Sequence, residues 1–456
     1  MTGKSGLLKN NQLSVLPENS ALSQCSDANI PRIIFGFIAW PEELLSVSPD
    51  LYKVNHLFYA VAAKRRVFSV WKLEKADISA KQGPKKSVMR RVSCNSSKGL
   101  QWLKQWYPQF DHITEVTGLH DYLGSVCRLP ASLKSLVFGK SFRNDLSVGV
   151  FPKTLEKLVF GEWFNKPIDV GVLPESLKSV TFGARFTQSL DGVLPSGLHS
   201  LTFMGDFDFT NLSLPQGLQS LDVECRFPLS KLSGLSSLTF LSLDNCFDQP
   251  FKKDVLPSSL RTLIVGNYFN QVLTKSTLPL NLSVLILGCC FNQPLASGVL
   301  PVNLKRLVFG ERFNQRMALG ELPPKLIFLR FGADFNQALV EGVLPRRLTE
   351  LYFGDCFNQE LIEGVLPPRM RKLVFGCAFK EGLTENVLPK HLDVLIFGSS
   401  YFVNFKKNVL PCNITRLVFR GSGYFQPFEV DVLPPLLTHL TLGERFREVL
   451  VPGAMP

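Results

Sequence analysis

From residue 129 onward, apolar and polar positions recur with a period near 22. A Leu-Pro pair opens each unit, its proline at 130, 174, 195, 215, 257, 279, 301, 323, 345, 367, 389, 411 or 434, with Phe151-Pro152 as a variant. Between 215 and 257 the stretch Gly234-Leu235-Ser236-Ser237-Leu238 supplies a unit without proline, which makes fifteen. From 235 to 411 the spacing is 22 eight times in succession, a register that chance does not keep. Apolar residues stand three, six and eight positions after the opening residue, as in Leu282, Leu285 and Leu287. Positions six and eight flank a differing residue at seven, so the local period is two and each unit predicts a short strand. Glycine at position nine (Gly139, Gly161, Gly288, Gly310, Gly354 and others) is expected to let the chain turn sharply. Position twelve is Phe in thirteen units, with Tyr401 and Tyr424 in the other two. The return to the next Leu-Pro leaves no room for a full helix.

A 22-residue unit cannot bury its own Leu and Phe faces, so each coil must cover its neighbours. The pattern predicts a continuous right-handed repeat solenoid, mainly parallel β with short turns, from about residue 133 to 443. Fifteen strands ~4.8 Å apart would make a sheet roughly 70 Å long. The phenylalanine column reads as a core spine, a ligand groove being the weaker alternative.

Side chains alternate along a strand, so position seven and position five should face away from that core. Val and Ile there need only β-propensity. Propensity does not account for Arg306, Phe328, Arg330, Glu350, Tyr352 and Lys372, which fall on four successive units opening at Pro301, Pro323, Pro345 and Pro367. Arg and Tyr are favoured at interface centres, so this face is the candidate surface for a protein partner.

The residues ahead of the repeats read differently. Residues 1–29, rich in Ser, Asn and Gln, suit a loose tail, and residues 30–75 a small helical unit. Residues 76–99 read as a basic linker. Residues 100–128, with Leu100, Trp102, Leu103, Trp106, Tyr107 and Phe110, read as an amphipathic cap on the first coil. Residues 1–100 hold 15 basic and 7 acidic side chains, against 35 and 31 in the remainder. The excess at Lys64-Arg65-Arg66 and Lys81 to Arg91 is either a solvated loop or an import or phosphate-binding segment. Nucleic-acid binding is disfavoured, since Lys104 alone is basic among the aromatics that follow.

Composition narrows the chemistry. Hydrophobic residues at 45% against charged residues at 19% exclude general disorder. The longest apolar run, Ile33 to Trp40, is far too short to span a bilayer, and the first residues show no secretory signal. Ten cysteines without a C-x-x-C pair read as reduced thiols, which points to cytosol or nucleus. Cys246, Cys290 and Cys356 share a column but stand coils apart, too far to bridge. The six histidines lack metal-ligand spacing, and Gly139-Lys140-Ser141 lacks the earlier glycine of a phosphate loop. No enzymatic role, metal, cofactor or small-molecule substrate is expected.

The sequences Phe269-Asn270-Gln271, Phe291-Asn292-Gln293-Pro294-Leu295, Phe313-Asn314-Gln315, Phe335-Asn336-Gln337 and Phe357-Asn358-Gln359, each after L-x-x-L-x-[FL]-G, resemble the FNIP repeat family. The resemblance covers about residues 129–450 and implies a relative of the leucine-rich repeats. Early units depart from the motif, with Arg143, Thr187, Asp208 and Pro228 at the Asn position, and the usual leucine-rich asparagine ladder is not expected. Residues Ile34 to Ala39, Pro41-Glu42-Glu43-Leu44-Leu45, Val54 to Tyr59 and Trp71-Lys72-Leu73 are similar to an F-box without its Leu-Pro-x-Glu opener. That resemblance implies binding of the Skp adaptor of cullin-RING ubiquitin ligases through Leu44, Leu45, Val54 and Phe58. Three readings follow: substrate recognition for an SCF-type ubiquitin ligase, a plain repeat scaffold, or nucleic-acid association through residues 64–98.

Overall fold

The computed structural model describes residues 71–73, 90–94, 100–101, 104–105, 110–120, 128–223, 226–243, 246–421, 424–443 and 446–448. The chain divides into two units, Met1–Val67 and Phe68–Pro456, and every described residue belongs to the second. The F-box-like residues Leu44, Leu45, Val54 and Phe58 therefore lie outside the described residues.

The described residues form a parallel β solenoid with almost no helix. Leu241, Leu263, Leu285 and Leu307 pair in register on successive strands, and Leu329, Leu351, Leu373, Leu395 and Leu417 continue the row. A 22-residue repeat thus returns the same atom column to the same place, one strand further along. All these leucines have 0% exposed surface. At roughly 1.5–3 kcal/mol for each fully buried side chain, the column contributes strongly to the array's cohesion.

The aromatic spine is double. The position-twelve rings stack coil on coil, Phe291 on Phe313 at 6.1 Å and Phe313 on Phe335 at 6.2 Å between centroids. A second column at position eight interleaves with them: Phe309 lies 3.8 Å from Phe313, and Phe331 3.8 Å from Phe335, nearly parallel. Between the Pro215 and Pro279 coils position eight holds Val223, Leu243, Val265 and Leu287, so the second column lapses there. Phe227 meets Phe209 edge-on at 5.0 Å, and ring-on-ring stacking resumes with Phe247 on Phe269.

A tight turn does follow the glycines at position nine, as where the Phe291 N–H donates to the Gly288 carbonyl at 3.1 Å, but it does not call for a glycine backbone. Their φ angles are not positive; instead, a Cβ on Gly354 would collide with the carbonyl oxygen of Gly332 on the preceding coil. They let neighbouring backbones approach. The left-handed turn lies later, at Gly298, Gly320, Gly342 and Gly364, with φ between 79° and 87°. Asp254, Ser276, Asn386, Asn408 and Asp431 fill the same column at φ 62–68°.

An asparagine ladder, not expected from the sequence, runs along the motif column. Asn270 accepts the backbone N–H of Asn292 at 2.9 Å, Asn292 that of Asn314 at 3.0 Å, and Asn336 that of Asn358 at 2.9 Å. Asp248 opens the run by accepting from Asn270, and Asn358 closes it by accepting from Lys380. The residue after each Asn reinforces it: Gln315 Nε2 donates to Asn292 Oδ1 at 2.9 Å. The Asn stands one residue after the stacked Phe, outside the position where a leucine-rich repeat usually carries it, and its partner is 22 residues away.

The sheet also begins earlier than expected. Glu115–Leu119 pairs with Ser135–Phe138, Arg91–Cys94 with Glu115–Leu119, and Trp71–Leu73 with Arg91–Cys94, all parallel. The segment read as a linker thus contributes a strand, the end of the helical unit another, and the cap a third. Val92 and Cys94 point into the core while Arg91 is exposed and pairs with Glu115 at 3.0 Å. These strands cover an edge whose unpaired N–H and C=O groups would otherwise face solvent. Their charged residues masked the alternation.

Candidate functional site

The strand face opposite the core carries the six candidate residues. Register places Arg306 beside Phe328, Phe328 beside Glu350, and Glu350 beside Lys372 in one column, with Arg330 beside Tyr352 in the next. The structure brings them together. The Arg306 guanidinium lies 3.9 Å from the Phe328 ring centroid, and Phe328 packs 5.2 Å from Tyr352. Lys372 Nζ sits 5.5 Å over Tyr352 from the other side. The Tyr352 hydroxyl donates to Glu350 Oε2 at 3.1 Å. A chain of cation, ring, ring and cation therefore crosses four strands, each contact worth about 0.5–2 kcal/mol where desolvated.

Phe328 stands on the face expected to be open, yet it is only 7% exposed, because Arg306 and Tyr352 cover it. The other members are half-buried. Burial lowers the pKa of the Arg306 guanidinium, with Glu350 and Tyr352 opposing the shift. Burial likewise lowers that of Arg330, which feels the positive charge of Arg420 four coils on, while Tyr352 and Asp355 oppose it. Burial first, then the Glu350 charge, raises the Tyr352 hydroxyl well above its ordinary range, so it stays a neutral donor.

Sequence reasoning missed what lies beyond Tyr352. Val374, Ile396 and Val418 continue its column, each beside the last, and form a second apolar cluster, 5–9% exposed, on this same face. β-Propensity alone accounts for Val and Ile at these positions in the sequence; their contiguity with Tyr352 and Val394 is the signal that distinguishes them. Among the described residues no group of three or more His, Cys, Asp or Glu could hold a metal ion, and no helix is long and apolar enough to cross a membrane.

Parallel strands in a 22-residue register, an asparagine ladder and a stacked apolar core define a leucine-rich-repeat-like solenoid. The FNIP repeat profile matches residues 125–162, 164–206, 247–290, 291–334, 313–356, 335–378, 357–400 and 404–445. These segments span more than half of the chain, which belongs to the FNIP repeat family. Among solved structures it is similar to CroV588, a circular LRR protein, at 35% identity and a TM-score of 0.65 over 80% of this chain. The match covers 57% of CroV588, so the chain spans less than two thirds of that protein's length. It is also similar to YopM from Yersinia enterocolitica WA-314, at 20% identity and a TM-score of 0.47, over 76% of this chain and 72% of that one. No curated protein sequence matches the chain.

Proposed function

We propose that this chain is a non-enzymatic interaction scaffold, and that a protein partner docks on the strand face across the coils opening at Pro301, Pro323, Pro345 and Pro367. The observation that carries the reading is the Arg306–Phe328–Tyr352–Lys372 chain, in which ring and cation contacts already hold interface-type side chains in place. Such pre-ordering lowers the entropy lost on binding. Affinity purification with mass spectrometry on the full chain would identify the partner. The Arg330→Ala/Tyr352→Ala variant should bind it at least ~2 kcal/mol more weakly while staying folded. Unchanged affinity would remove the site from this face.

The finer reading, substrate recognition for an SCF-type ubiquitin ligase in the cytosol or nucleus, is supported by the residue pattern of 30–75 alone. Its test is capture of the Skp adaptor by the full chain, lost on Leu44→Ala/Leu45→Ala. Undiminished capture by that variant, or none by the parent, would leave the plain scaffold. The nucleic-acid alternative loses part of its footing because Arg91, in the basic segment, is paired with Glu115.

A further inference from the structure

We propose that the partner of this face is acidic: a protein segment whose carboxylates pair with Arg330 and Arg420 while its apolar side chains rest on Val374, Ile396 and Val418. The proposal rests on the docking reading above and adds the chemistry of the occupant.

Charge is the first ground. The strands from Arg306–Val308 to Arg416–Phe419 carry Arg306, Arg330, Lys372 and Arg416 against one acid, Glu350, already occupied by the Tyr352 hydroxyl. Elsewhere in the array lysines find acids on neighbouring coils, as in Lys134–Glu156 at 3.1 Å, Lys140–Glu162 at 2.8 Å and Lys407–Asp431 at 2.9 Å. Among the described residues none of the strand-face cations makes such a pair. Two sit over rings instead, and Arg330, with the charges of both Asp355 and Arg420 acting on it, makes no ion pair. Arg330 is half-buried and has already lost part of its hydration, so a carboxylate arriving there meets a cation part of whose desolvation is already complete.

Geometry is the second ground. Arg330 precedes Tyr352, Val374, Ile396 and Val418 in one register column, and Arg420 follows Val418 by two residues, just past the end of its strand. Four strand spacings of ~4.8 Å separate the coils that carry them, a distance that a short extended segment spans. A peptide with apolar residues between acidic ones matches that order.

A nucleic acid would also answer the positive charge, but base stacking needs open ring faces. Here Phe328 and Tyr352 are covered by Arg306 and Lys372. The chain's own first hundred residues, 15 basic against 7 acidic, share the sign of the face and do not complement it.

The test is selection of short random peptides from a display library on the full chain, with oligouridine RNA as a competing probe. Enriched peptides should combine Asp or Glu with Leu, Ile or Val. Their affinity should fall at least ~tenfold for Arg330→Gln/Arg420→Gln, survive in large part for Arg330→Lys/Arg420→Lys, and weaken as salt is raised about tenfold. Arg330 faces away from the core and Arg420 is exposed just past its strand, so circular dichroism should show the variants folded. Peptides without acidic excess that still lose affinity for Arg330→Ala/Tyr352→Ala would overturn this inference and leave docking on the face intact. Acidic peptides indifferent to every variant would sink both. RNA bound with the same dependence on Arg330 and Arg420, with no peptide enriched, would also overturn the proposal.

Discussion

Asn314 holds the coil that follows it: its Oδ1 accepts the backbone N–H of Asn336 at 2.9 Å and the side-chain amide of Gln337 at 2.9 Å. Both donors are partly buried, so removing the acceptor leaves them without a protein partner. Asn314→Ala should therefore cost about 1–3 kcal/mol, and Gln337→Ala, which removes the amide alone, nearer 1 kcal/mol. Because repeat arrays can open locally, the sharper readout is hydrogen exchange at the Asn336 amide. Unchanged protection there in Asn314→Ala would refute the ladder.

Two glycines on successive coils offer a contrast. A methyl on Gly354 meets the backbone carbonyl of Gly332, which cannot swing aside, whereas on Gly342, at φ 82°, it meets only the end of the Leu319 side chain. Gly342→Ala should cost about 1–2 kcal/mol for the left-handed backbone. Gly354→Ala should cost about 3 kcal/mol or more, as overpacking against rigid neighbours does. Denaturant titration of the two variants in the reverse order would show that the coils are spaced more loosely than described.

Tyr401 and Tyr424 replace Phe in the spine, and each hydroxyl is buried without a hydrogen-bond partner. Restoring the ring alone, Tyr401→Phe/Tyr424→Phe, should stabilise the array by about 1–3 kcal/mol. Burial also raises both hydroxyls above the ordinary tyrosine value. The unfolded chain then releases protons near pH 10 while the folded chain keeps them, so this contribution is complete below ~10 and lost as pH rises past it. Melting temperature from pH 9 to 11 should fall more steeply for the parent than for the double Phe protein. Parallel curves would refute the assignment.

Adjacent residues on one strand should behave oppositely. Leu329 is 0% exposed in the register column, whereas Arg330 faces away from that core. Leu329→Ala should lose about 2–5 kcal/mol and broaden unfolding of the neighbouring coils. Arg330→Ala should leave thermal unfolding within a few degrees of the parent. A comparable loss in both would mean that the strand face is structural.

The repeat was legible because burial is read off one coordinate, the position within the unit. Leu329, Phe335 and Pro323 recur at fixed offsets, and those offsets alone place them inside. The strand-face cluster was legible for the same reason, since Arg306, Phe328, Arg330, Glu350, Tyr352 and Lys372 occupy outward positions on consecutive units. Its burial was not. Phe328 is covered because Arg306 lies beside it on the preceding strand and the Tyr352 ring reaches it diagonally from the following one, a relation between coils rather than within one.

The sequence by itself determined the period, the strand in each unit, the Leu and Phe columns and the face opposite them, because a 22-residue repeat forces equivalent residues into equivalent places. Only the tertiary structure decided how adjacent coils meet. It turned Asn270, Asn292 and Asn314 into a ladder, made Gly354 a site of backbone approach, and drew Arg91–Cys94 and Trp71–Leu73 into the sheet. Each of these depends on spacing and register between chain segments about 20 or more residues apart. An N–H finds its acceptor, and a Cβ its clash, only when two coils lie within a few ångströms of each other, a distance set by packing across coils.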